Sequence, residues 1–129
     1  MNTAGAGNRI ITVETLARGQ LLGQLAPADT TAAALVTAAV RTEITTLIIA
    51  NVTGTAATCR VFHDEAGTTY ALGNALLYDV SVPANTTLFV EAGSAFAGLT
   101  LQATDTLGVR TGTANALTFS AYGTRETAR

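Results

Sequence analysis

Apolar and polar side chains alternate with a period of two along much of the chain, the spacing of strands buried on one face. The alternation is strict in Leu99-Thr100-Leu101-Gln102-Ala103. It returns near the C-terminus, where Leu117, Phe119 and Ala121 fall on one face and Thr118, Ser120 and Tyr122 on the other, with Gly112 and Gly123 as turn residues on either side. Leu76, Tyr78, Val80 and Val82 predict a further face, ended by Pro83, and Leu88 and Val90 open the next one after the Ala84-Asn85 turn. Thr45-Thr46-Leu47-Ile48-Ile49-Ala50 is apolar on both faces in its second half, which predicts a central strand or one whose outer face another subunit covers. With extended segments at 20–26, 31–37 and 56–63, the pattern predicts an all-β protein: a single antiparallel β-sandwich or jelly roll of about eight strands.

Two segments depart from this pattern. Asp29 followed by the alanine-rich run to Val40 offers a capped helix, but the β-branched residues inside it and the all-β surroundings favour extended structure. Residues 1–19 read as an extended N-terminal arm ahead of a sandwich domain at 20–129, because Asn2-Thr3-Ala4-Gly5-Ala6-Gly7-Asn8 is too rich in glycine to fold alone. The arm nevertheless carries Ile10, Ile11, Val13 and Leu16, which gain stability only by burial against something. These four, with Leu21 and Leu22 where the arm meets the body, are the candidate inter-subunit contacts, and they predict a homo-oligomer.

Composition sharpens the picture. The chain of 129 residues is 48% hydrophobic and only 12% charged, about half the usual share, so its surface relies on uncharged polar residues. All its basic residues are Arg, and a net charge of −2 leaves no footprint for direct nucleic-acid binding. No stretch approaches the length of a membrane span and the first residues lack the basic and hydrophobic regions of a signal peptide, so no membrane association is expected and assembly in a cytoplasm is. On that expectation the sequons Asn51-Val52-Thr53 and Asn85-Thr86-Thr87 are ordinary strand and turn residues.

Candidate chemistry is sparse. Cys59, the single cysteine, reads as a small apolar side chain packed in a strand. His63, Asp64 and Glu65 are consecutive, so on a strand they face opposite ways and do not converge on an ion; they read as a solvated hairpin tip. Ser81, Ser94 and Ser120 stand in no nucleophile context. Asp79 is placed to pair with Arg60 or Arg110 across strands. The expectation is a protein that is not an enzyme and needs no cofactor.

The body resembles small virion proteins of tailed bacteriophages, the sandwich or jelly-roll modules found as head decorations, collar components or tail-associated adaptors. The likeness is carried by Leu22-Gly23-Gln24-Leu25-Ala26-Pro27, by Leu35-Val36-Thr37 leading to Ile44-Thr45-Thr46-Leu47-Ile48-Ile49-Ala50-Asn51, by Arg60-Val61-Phe62, and by the run from Leu76 to Thr87. It implies a place in a virion, assembled in the host cytoplasm, with other phage capsid, neck or tail proteins as partners. A different expectation is a receptor- or glycan-binding module working through the loops from His63 to Tyr70 or from Gly112 to Asn115.

Overall fold

The alternating segments become strands that share one core between two antiparallel sheets. The computed structural model describes residues 20–91 and 99–126. Among these are β1 (Gln20–Leu25), β2 (Ala33–Thr37), β3 (Thr42–Asn51), β4 (Ala57–Asp64), β5 (Ala75–Val82), β6 (Thr87–Glu91), β7 (Leu99–Leu101), β8 (Thr106–Thr111) and β9 (Leu117–Arg125). One sheet runs β1-β9-β3-β6, with the short β7 also paired to β3, and the other runs β2-β8-β4-β5.

The order follows from one long fold-back. Bending the chain between β4 and β5 pairs these two strands, and the nested pairs β3 with β6, β2 with β8 and β1 with β9 follow outward. Rolling that ribbon brings β9 beside β3 and β8 beside β4, which completes both sheets. This is a jelly roll, in which most connections cross from one sheet to the other. The core is what the rolled faces enclose: Leu47, Ile49, Phe119 and Leu117 from one sheet meet Val61, Val82, Leu107 and Val109 from the other, all essentially inaccessible. Their burial supplies the main stabilising term, about 25 cal/mol per Å² of apolar surface.

The segment at 29–40 resolves as strand and turns, with no helix. Its tertiary role decides the matter, since a bulge between Ala34 and Val36 turns both Leu35 and Val36 into the core while β2 pairs with β8. The expected face of Leu76, Tyr78, Val80 and Val82 is not continuous. Asp79 takes a left-handed φ of 55° and the register of β5 against β4 shifts beside it, so Leu77, Val80 and Val82 point inward while Leu76 and Tyr78 lie outside. A single bulged residue reverses the phase of everything on one side of it. A ninth strand, β8, was not signalled by the pattern, because Gly108 stands at its centre. Leu22 packs in the domain's own core, whereas Leu21 beside it is 45% exposed.

Candidate functional site

Pairing register shows which side chains the larger sheet turns outward. Directly opposed residues share a face, so Gln24, Ser120, Ile48 and Phe89 form one row across β1, β9, β3 and β6. Gln24 Nε2 donates to Ser120 Oγ at 2.9 Å, fixing both on the same side. The neighbouring rows are Leu21, Tyr122, Thr46 and Glu91, and Thr118, Ala50 and Thr87. Glu91 is the one formal charge in these three rows. Phe89 is 60% exposed and Ile48 half-buried beside it, so the face is weakly polar with apolar knobs and covers on the order of 400 Å² by strand spacing. Chain from the arm enters this sheet at its edge strand, β1, next to Leu21.

The second feature lies on the outer face of the other sheet, where residues 65–74 fold back over it. Asp64 holds that loop: Oδ2 accepts the Thr69 N–H at 2.8 Å and Oδ1 accepts Asn74 Nδ2 at 3.3 Å, while Asn74 Oδ1 accepts the Ala71 N–H at 3.0 Å at a short 3₁₀ turn, Leu72–Asn74. Tyr70 lies flat on the sheet, stacked on Phe62 with ring centroids 5.5 Å apart. Thr106 Oγ1 gives its proton to the Gly67 carbonyl at 2.6 Å, so at 2.8 Å the Tyr70 hydroxyl is the donor to Thr106. Burial holds the Tyr70 phenol above its usual range. His63 turns the other way, its Nε2 donating to the buried carboxylate of Asp105 at 3.1 Å. The expected solvated tip is therefore a stapled loop. His63 and Asp64 do face opposite ways, as strand geometry requires, and among the described residues no three His, Cys, Asp or Glu side chains gather into a metal-ligand group.

Beside this loop the sheet carries two arginines. Arg60 and Arg110 stand directly opposite each other on β4 and β8. Arg60 stacks over the Tyr78 ring at 3.9 Å and makes a two-point pair with Asp79, Nε to Oδ1 at 2.7 Å and Nη2 to Oδ2 at 3.1 Å. The Arg60 hydrogen bond holds the Asp79 carboxyl below its usual range, with a smaller contribution from Arg110. Arg110 instead donates from Nε to the Thr30 carbonyl at 2.6 Å. Between the turn at 30–32 and Thr68 and Tyr70 of the loop is a cleft of about 450 Å³, floored by Arg60, Phe62 and Arg110. A neighbouring hollow of about 500 Å³ is lined by His63, Asp64, Glu65 and residues 73–76, but its Asp64 and Asn74 are already engaged in holding the loop.

Of the six candidate contact residues, Ile10, Ile11, Val13 and Leu16 lie outside the described residues, Leu22 is in the core, and Leu21 is on the outer face described above. Ile48, Phe89 and Tyr122 join it there. The sequence signal for Ile48 was its position in a strand apolar on both faces; Phe89 had none, since a lone aromatic between Leu88 and Val90 reads as strand either way. Set against known protein families, curated proteins and solved structures, the chain matches none of them. What the fold defines is a class: an all-β jelly-roll sandwich with weakly polar central rows on one outer face and two arginines in a cleft on the other.

Proposed function

We propose that the protein is a structural component of a tailed-bacteriophage particle, a jelly-roll module that self-associates and binds the head, neck or tail surface. The observation that carries this reading is the outer face of the larger sheet, where Leu21, Ile48, Phe89 and Tyr122 stand with almost no charge among them. Contiguous exposed patches of a few hundred Å² that include large apolar side chains are often functional surfaces. The occupant is the arm of a second copy. It carries four apolar side chains, Ile10, Ile11, Val13 and Leu16, and joins the body at the edge of this same sheet. Fully extended, the stretch from Ile10 to Gln20 reaches roughly 35 Å, against about 15 Å across the four strands, so it is long enough to reach a neighbouring molecule. Repeated in every symmetry-related copy, such an exchange builds a closed ring or shell from modest contacts.

Light scattering of the full chain and of residues 20–129 tests this. The full chain is expected to run as a discrete multimer and the shortened one as a monomer with an unchanged melting temperature. A full-length monomer at high concentration, or a shortened chain that still assembles and decorates particles, overturns the proposal. Electron microscopy of intact particles then locates the density on head, neck or tail.

A further inference from the structure

We propose that the cleft between the 30–32 turn and the 65–74 loop binds an acidic saccharide, with the Arg110 guanidinium holding its carboxylate and the threonine hydroxyls and Tyr70 contacting the sugar. This gives a ligand class to the glycan-recognition expectation and is independent of the assembly reading, because it concerns the opposite sheet.

The charge arrangement is the starting point. Like charges directly opposite on neighbouring strands repel, yet Arg60 and Arg110 are so placed, and a single carboxylate, Asp79, serves the pair. Asp79 is taken up by both its oxygens with Arg60, and Asp29, in the turn beside the cleft, accepts the Thr31 N–H at 2.9 Å. Neither carboxylate is hydrogen-bonded to Arg110, whose Nε is anchored on the Thr30 carbonyl, so the guanidinium is oriented in advance while its two terminal nitrogens have no hydrogen-bond partner among the described residues. A planar fork held by one nitrogen and presenting the others suits two-point recognition of a carboxylate.

The remaining lining selects what carries that carboxylate. The hydroxyls of Thr30, Thr31 and Thr68 line the cleft without a hydrogen bond to the protein among the described residues, and Tyr70 forms an aromatic wall seated on Phe62. Hydroxyl groups, an aromatic surface and one fixed cation together match a polyhydroxylated anion better than a bare ion or an apolar acid. The volume lies within the range of small-ligand sites. The walls are rigid before any ligand arrives, since Asp64, Asn74 and Thr106 tie down the loop and Asp29 closes the turn.

The test is a titration of the full-length, ¹⁵N-labelled protein with a digalacturonic acid disaccharide, with the uncharged galactose disaccharide and with sulfate. The expected result is saturable shifts of the amides at 30–32, 68–70 and 110 with the acidic sugar alone. Arg110→Gln should weaken binding at least about tenfold, and Arg110→Lys should weaken it less, because it keeps the charge and loses the fork. If Arg110→Gln disturbs the free protein's 29–32 amides, the lysine variant decides. No saturable shift at these amides, equal binding of the uncharged disaccharide, or undiminished affinity in both variants overturns the proposal. Sulfate binding as tightly as the acidic sugar overturns the saccharide assignment.

Discussion

Asn51 lies at the end of β3 with its side chain buried and every polar atom satisfied. Its Nδ2 donates to the carbonyls of Val82 at 3.0 Å and Thr55 at 2.9 Å, and its Oδ1 accepts from the Thr53 N–H and hydroxyl at 2.9 and 2.8 Å. Because Val82 belongs to the opposite sheet, the amide stitches the two sheets at one end of the sandwich. Asn51→Ala strands several of these groups and is expected to cost roughly 2–3 kcal/mol, read as a lower chemical-denaturation midpoint with unchanged slope. Cys59 is fully buried, and burial together with the Asp79 carboxylate pushes its thiol up to about 11. Its reaction with a disulfide reagent at mildly alkaline pH should therefore track global unfolding; fast labelling of the native protein would contradict this. Asp105 behaves differently. Burial raises its carboxyl, but His63 and the backbone N–H groups of Gln102 and Ala66 more than offset that and hold it below its ordinary 3.8. A depressed carboxyl stabilises the fold above its unfolded value and stops doing so as pH falls through the folded one. The contribution of Asp105 is thus complete above about pH 4 and lost on further acidification. Asp105→Asn should cost about 1–2 kcal/mol at neutral pH and flatten the acid limb of the melting-temperature profile.

At the scale of elements, β5 and β8 show where a one-dimensional pattern stops being informative. β5 looks like one amphipathic strand, yet its bulge at Asp79 puts Leu77 with Val80 and Val82 in the core and leaves Tyr78 outside as the platform for Arg60. Asp79 tolerates the left-handed conformation better than most residues, but Asp is also common in plain turns, so the residue alone does not announce a bulge. In β8, Gly108 reads as punctuation. Its real constraint is distant in sequence: a Cβ there would run into the Tyr70 ring. Gly108→Ala should lift Tyr70 off Phe62 at a cost of roughly 1–3 kcal/mol, loosening the 65–74 loop so that limited proteolysis cuts it sooner than in the parent protein. Intact protection of that loop would show that Tyr70 is seated by the Thr106 hydrogen bond alone.

For the whole molecule, nested pairing explains how a low-charge chain closes a core without disulfides, since each of the two sheets covers the other. The outer face of the larger sheet is a separate matter from stability. Phe89→Glu replaces a residue 60% exposed, so it is expected to leave the melting curve within about 0.5 kcal/mol of the parent while preventing multimer formation. A stable variant that still assembles would move the contact away from this face. The sequence by itself determined the fold class, most strand positions and the shared buried face of Leu117, Phe119 and Ala121, because period-two alternation is a local consequence of strand geometry and one-sided burial. Tertiary structure alone decided the bulge at Asp79, the bulge in β2 that turns both Leu35 and Val36 inward, the core position of Leu22, the choice of Arg60 over Arg110 as the partner of Asp79, and the meeting of Tyr70 with Gly108. Each of those depends on which strand lies opposite which, and that is set by closing the jelly roll across segments dozens of residues apart, where no local period carries the information.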